Sequence, residues 1–205
     1  ARAPQRLGID HPDLALWAGD ARDAAALAPA IRGQDAVIIT PYPGASAAEV
    51  ESLVSAPAEQ VLAEDGGIDV LVNNAGKALG LHLLHEGLLE DWEEMMETNV
   101  MGLLYMTRAI LPAMVERNSG HIVNIGSVAG HQVYQKGAVY NASKFAVKAL
   151  NEGMALDLLG TGIRVSSIDP GAVETEFSQV RFHGDQDRAK TIYDGFKPLT
   201  GEDIA

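Results

Sequence analysis

Short apolar runs alternate with longer stretches of helical spacing along the chain. "LALWAG" (14–19) has the length and composition of a strand, and "ARDAAALAPAIRG" (21–33) those of a helix stopped by Gly33. The β-branched run "DAVIIT" (35–40) predicts another strand, closed by the breaker cluster "PYPGAS" (41–46). Residues 47–66 read as a helix interrupted at Pro57, since proline removes a donor and crowds the preceding turn. "IDVLVNNAG" (68–76), "HIVNIGS" (121–127) and "IRVSSIDPG" (163–171) are strands of the buried type. Between them lie a helical zone from Leu88 to Arg117, strained at Pro112, and a helix around Tyr140. Beyond 171 the chain reads as polar and irregular.

Apolar strands alternating with helices predict an α/β fold, a parallel sheet covered on both faces. In such sheets ligands bind beyond the carboxyl ends of the strands. Three of the predicted strands end in polar or turn-forming residues: Asn73-Asn74-Ala75-Gly76, Gly126-Ser127 and Asp169-Pro170-Gly171. All three would deliver their groups to the same edge.

Composition narrows the function classes. The 205 residues are 47% hydrophobic and 21% charged, as in a soluble globular protein, and suffice for one domain. A net charge of −13 would repel a phosphate backbone, which argues against nucleic acid as a partner. There is no cysteine, so disulfides, thiolate nucleophiles and thiolate-bound zinc are excluded. No apolar run approaches the roughly 20 residues of a membrane span, and no secretory signal opens the sequence. A cytoplasmic protein without a membrane partner is the expectation. His82, His85, His121, His131 and His183 are scattered without the HExxH spacing of a metallohydrolase, so no metal site is expected.

Candidate chemistry centres on "VYNASKFAVKAL" (139–150). Tyr140 and Lys144 are at i and i+4, which stacks them on one helical face. Alone, the pair reads more readily as a surface tyrosine beside a solvated lysine. Ser127 leaves a strand towards the same edge, and Asn99 lies in the helical zone, in "TNVMG". Together they supply what carbonyl reduction and alcohol oxidation need: a hydroxyl to move a proton, a second donor to hold the substrate oxygen, and a cation to acidify the phenol. Moving a tyrosine from about 10 to about 7 requires roughly 4 kcal/mol in favour of phenolate, and an ammonium within about 4–6 Å supplies much of it.

"NNAG" (73–76), "TNVMG" (98–102), "IVNIGSVAG" (122–130), "YNASK" (140–144) and "DPGAVETEF" (169–177) occur in the order and at the separations of the short-chain dehydrogenase/reductase family, which the chain resembles from about Ile68 to Ala205. The resemblance implies a Rossmann-like, doubly wound, three-layer α/β/α fold and hydride transfer to or from a nicotinamide. It makes Tyr140 the acid/base and Lys144 the cation that lowers its pKa and binds the nicotinamide ribose. Ser127 would hold the substrate oxygen, and Asn99 would position a water. Asn74, Ala75 and Gly76 would run along the cofactor, and Pro170, Gly171, Val173 and Thr175 would frame the nicotinamide. The segment "TEFSQVRFHGDQDRAKTIYDGFKPLTGEDIA" is similar to the substrate loop of NADP-dependent 3-hydroxy acid dehydrogenases, which act on serine or malonic semialdehyde. NADP is therefore the implied cofactor, with NAD the alternative. Arg181 is the candidate to meet a substrate carboxylate, with an ion pair inside the loop as the plain alternative. A homodimer or homotetramer is implied as well.

The N-terminal part departs from the family pattern. No glycine-rich phosphate turn precedes Asn73, and the first strand, first helix and second strand of the family have no visible counterpart. Asp20 matches a family position near the adenine amine, or else caps a helix. "DAVIIT" and "IDVLVNN" both resemble the family's fourth strand, unless the former fills the vacant edge position. Thr200 and Asp203 read as a capping box opening a helix. The expectation is an incomplete domain, a fragment or chimera. Residues 1–45 would form a divergent strand-helix-strand segment, and residues 46–205 the catalytic core with its substrate loop. A second function class follows: a family member impaired in cofactor binding that serves as a partner domain.

Overall fold

The computed structural model describes residues 36–38 and 67–204. Four parallel strands form one sheet in the order β1 (Ala36–Ile38), β2 (Val70–Asn73), β3 (Gly120–Ile125), β4 (Ile163–Ile168). Between β2 and β3 run α1 (Leu89–Met96), a π-helical turn (Glu97–Met101) and α2 (Gly102–Arg117). Between β3 and β4 runs α3 (Ala138–Asp157). The predicted strand 14–19, the helices 21–33 and 47–66, and Asp20 lie outside the described residues.

"DAVIIT" does not compete with "IDVLVNN" for one position. β1 pairs beside β2, with Ala36 opposite Val70 and Ile38 opposite Val72. It takes the edge position that the sequence left open.

The alternation of side chains across each strand sets the core. Leu71, Ile122 and Val165 stand in register on one face. There they pack with Ile68 and Ile163 against Met106, Ile110 and Met114 of α2 and Leu158 just past α3. Right-handed crossovers between successive parallel strands require both helices on that face. Two residues nearer the carboxyl edge, the same face turns polar. Asn73 Nδ2 donates to Thr107 Oγ1 of α2 (3.1 Å) and to Asn124 Oδ1 of β3 (2.9 Å), and Asn124 Nδ2 donates to Asn151 Oδ1 of α3 (3.0 Å). This buried amide chain ties the sheet to both helices immediately beneath the edge where ligands would bind.

The helical zone 88–117 breaks differently from expectation. Pro112 sits inside α2 without ending it, and the irregularity falls at Glu97–Met101 instead. α2 stops at Asn118, which adopts a left-handed conformation (φ 51°), and its side chain accepts from Gly162 N at 2.8 Å. Past β4, the segment expected to be irregular contains two short helices, α4 (Phe177–Arg181) and α5 (Gln186–Lys190), the latter capped by the Asp185 side chain. Thr200 N and Oγ1 both donate to Asp203 Oδ2, at 2.7 and 2.8 Å, which is only the Asp203 half of the expected capping box. Asp203 N donates to Thr200 O in place of Thr200 Oγ1, and residues 202–204 form a turn where a helix was expected.

Candidate active site

β3 ends at Ile125, and Gly126-Ser127 continue in extended form (Ser127 φ −176°). Ser127 Oγ accepts from Ala129 N at 3.1 Å, which aims the hydroxyl back across the strand end. Gly126 is required here: an added Cβ would lie 1.9 Å from Asp169 Oδ1, a carboxylate fixed by Ser167 Oγ at 2.8 Å.

α3 brings Tyr140 and Lys144 to the same edge. Both are buried, at 9% and 5% exposure. The Phe177 ring meets Tyr140 edge-on with centroids 5.7 Å apart, and the Arg181 guanidinium sits 5.8 Å from the Tyr140 ring. Burial is the main influence on the phenol and pushes its pKa up to about 12; the neighbouring Ser127 hydroxyl pulls the other way, and the Arg181 charge does so more weakly. The expectation that Lys144 acidifies Tyr140 is not met in this state. The spacing puts them on one face, but the Lys144 ammonium turns to the Ile125 carbonyl oxygen at 2.9 Å. Burial lowers the pKa of Lys144 to about 8, with the Asp169 charge opposing the fall.

Asn99 sits in the π-helical turn, where the wider backbone sends its side chain inward. Its Oδ1 accepts from Lys77 N (2.8 Å), and its Nδ2 donates to Lys77 O (2.8 Å) and Ser143 Oγ (2.9 Å). The side chain therefore fastens the "NNAGK" loop to α3 and has little capacity left for a water. Between these groups lies Gly76, whose absent Cβ would fall 3.3 Å from Lys144 Nζ and 3.5 Å from Asn99 Oδ1. Asn74 and Gly76 are exposed beside them, and Ala75 is half-buried.

Opposite, Ser127 Oγ reaches Pro170 O at 3.4 Å, and Gly171 faces open space. Val173 is pinned by Leu199: Leu199 N donates to Ala172 O (2.9 Å), and Glu174 N donates to Leu199 O (2.7 Å). Thr175 Oγ1 accepts from Phe177 N at 3.2 Å at the start of α4. Arg181 is more tightly held than the sequence suggests. Its Nε donates to Gly80 O (3.0 Å), its Nη2 donates to the Tyr134 hydroxyl (2.9 Å), and its own carbonyl accepts from Gly80 N (2.8 Å). The structure thus brings Ser127, Tyr140, Lys144, Asn99 and Gly76 together, with Arg181 behind the Tyr140 ring.

A family model for short chain dehydrogenases matches residues 7–186. The chain belongs to the short-chain dehydrogenase family. The match reaches well before Ile68, farther towards the N-terminus than the short motifs carry it. Among curated proteins, this short-chain dehydrogenase is 51% identical over 160 residues to the NADP-dependent 3-hydroxy acid dehydrogenase YdfG of Escherichia coli K12, covering 78% of this chain and 62% of that protein. It is 44% identical over 159 residues to the NADP-dependent 3-hydroxy acid dehydrogenase of Schizosaccharomyces pombe, covering 77% of this chain and 61% of that protein. Among solved structures it resembles the closed form of serine dehydrogenase complexed with NADP+, with a TM-score of 0.69, 49% identity, and coverage of 78% of this chain and 63% of that one.

The residues present suit a nicotinamide dinucleotide. Lys144 is a buried ammonium with three donors and one acceptor among the described residues, Ile125 O. Spare donors in a desolvated position fit ribose hydroxyls, and the open space beside Gly171 would let a ligand approach the backbone closely. Tyr134, Asn141 and Ser143 also shape the site, and the sequence reading did not single them out. Asn141 Nδ2 donates to Ala129 O at 3.0 Å and so holds α3 to the Ser127 loop. The adjacency of Asn141 and Ser143 to Tyr140 and Lys144 on the buried face of α3 was the available signal. Among the described residues no three His, Cys, Asp or Glu side chains converge to hold a metal ion, and no helix is long and apolar enough to cross a membrane.

Proposed function

We propose that this protein is an NADP-dependent oxidoreductase that interconverts an alcohol and a carbonyl in a small 3-hydroxy acid such as serine or 3-hydroxypropionate. NAD is the alternative cofactor. The observation that carries the reading is the convergence on one sheet edge of Ser127, just past β3, with the buried Tyr140 and Lys144 of α3, the Lys144 ammonium being anchored by Ile125 O. When bound, the cofactor supplies or accepts the hydride. The protein's own part is to move a proton and hold the oxygen that changes charge.

With its pKa pushed up to about 12, the Tyr140 phenol carries its proton at neutral pH. It is ready to donate from Oη to a carbonyl oxygen. Ser127 Oγ donates the second hydrogen bond to that oxygen. Lys144 Nζ, already fixed by Ile125 O, binds the ribose hydroxyls and lends positive charge to the proton path. Asn74, Ala75 and Gly76 line one side of the cofactor, and Pro170, Gly171, Val173 and Thr175 the other. Asn99 keeps the first of these loops in place through Lys77. Arg181, held by Gly80 and Tyr134, draws an anionic substrate inward by its charge. Exposed apolar side chains on α2 and α3, Val115, Phe145 and Leu156, support pairing of chains into a homodimer or homotetramer. A cytoplasmic setting belongs to the same proposal.

The test is NADPH-dependent reduction of malonic semialdehyde, followed by NADPH absorbance, in the wild type and in Tyr140→Phe with its circular dichroism unchanged. Turnover in the wild type and a rate lower by about 10²–10⁴-fold in Tyr140→Phe supports the reading. Equal rates in both remove Tyr140 as the proton donor.

A further inference from the structure

The turn that leads into α3 holds a lysine in an unusual conformation. Lys136 has φ 66°, in the left-handed region that a glycine enters without strain and other residues enter at a cost. Gly137 N donates to Tyr134 O at 3.3 Å and closes the turn around it. Residues kept in such conformations cluster at ligand clamps, where the side chain is worth the strain.

Lys136 lines the pocket that contains Tyr140 and Arg181. The whole chain carries −13, yet this pocket carries two permanent cations. The one carboxylate among its lining residues, Asp91, is buried and faces His183 Nε2 at 3.4 Å. The pocket is therefore set for an anion. Arg181 is poorly placed to grip one directly, because Gly80 O and the Tyr134 hydroxyl hold two of its nitrogens and only 8% of it is exposed. Lys136 is exposed, with no partner among the described residues. A flexible, hydrated point charge at a pocket's rim suits a small carboxylate that must enter and leave.

We propose that Lys136 is the specificity-determining residue that binds the substrate carboxylate, with Arg181 as a fixed background charge. The identity of the substrate class rests on the dehydrogenase reading; the preference for an anion rests on the pocket itself.

Trp92 also lines this pocket and reports on it without turnover. Tryptophan fluorescence of the full chain is titrated with 3-hydroxypropionate and with 1,3-propanediol, its neutral counterpart. The wild type should prefer the acid by about tenfold, the scale of a hydrogen bond to a charged group. Lys136→Gly should abolish that preference while raising Tm, since glycine relieves the left-handed strain. Equal affinity for acid and diol in the wild type, no measurable binding of the acid, or an undiminished preference in Lys136→Gly overturns the assignment. So does a lost preference accompanied by a fall in Tm, which would blame the turn and not the charge. A wild-type chain that prefers the acid but transfers no hydride would sink the dehydrogenase reading and leave Lys136 in its assigned role.

Discussion

Lys144 Nζ donates to the carbonyl oxygen of Ile125 at 2.9 Å, so the last residue of β3 anchors the ammonium presented by α3. The contact fixes the lysine beside Gly76 and Asn99 and leaves it short of partners. A buried cation with one acceptor weakens the fold for the sake of the site.

Lys144→Met should therefore stabilise the protein at pH 7 by about 1–3 kcal/mol while abolishing hydride transfer. The sign follows from the pKa, about 8 folded against 10.5 unfolded. A depressed pKa contributes stability that is present above the unfolded value and lost as pH falls through the folded one. The wild type should gain about 3 kcal/mol between pH 8 and 10.5 relative to Lys144→Met. Urea unfolding of both proteins across that range checks it. A parallel pH dependence would mean the ammonium is better solvated than its burial indicates.

The Tyr140 phenol should be the reluctant one to ionise. Its pKa of about 12 lies above the ordinary 10.0, so the stability it contributes is intact below the ordinary value and disappears as pH rises through about 12. The difference in phenolate absorbance between wild type and Tyr140→Phe should stay flat past pH 10. Tyr140→Phe should also lower kcat by about 10²–10⁴-fold, the usual worth of a positioned acid. In the oxidative direction, which needs the phenolate, the wild-type rate should climb with pH.

Asn99→Ala removes three hydrogen bonds at once, two of them to the buried backbone of Lys77. Leaving that N–H and C=O unpaired should cost about 2–4 kcal/mol in urea unfolding. Cofactor affinity should fall with it, because the 74–77 loop loses its anchor. Unchanged stability would mean that water replaces the amide without loss.

Two glycines on the same edge should behave oppositely. Gly126→Ala drives a Cβ into the Asp169 carboxylate and should destabilise by about 1–3 kcal/mol, whereas Gly171→Ala meets nothing within 4 Å and should leave the fold unchanged. Gly171→Ala should instead weaken NADPH binding, measured by calorimetry. Equal thermal shifts for the two variants would contradict this picture of the edge.

The sequence by itself determined the sheet and the identity of the edge. Apolar runs of strand length separated by helical spacing lead to β2, β3, β4, α2 and α3, because a strand buried on both faces has few residue types to choose from. The i, i+4 spacing put Tyr140 and Lys144 on one face for the same local reason, and the nearness of Thr200 and Asp203 gave their mutual hydrogen bonds, though in a turn and not a helix cap. Tertiary structure decided the rest. Whether "DAVIIT" duplicated β2 or lay beside it depended on pairing across a long stretch of chain. The helical irregularity fell at Asn99, whose side chain joins Lys77 to Ser143 across distant segments, while Pro112 stayed inside α2. The acidity of Tyr140 and the direction of Lys144 depended on burial and on the Ile125 carbonyl, neither of which is encoded in the spacing of the two residues. The commitment of Arg181 to Gly80 and Tyr134 likewise joins segments far apart in the chain. Spacing along a chain fixes faces and periods; desolvation and the choice of partner arise only when distant segments meet.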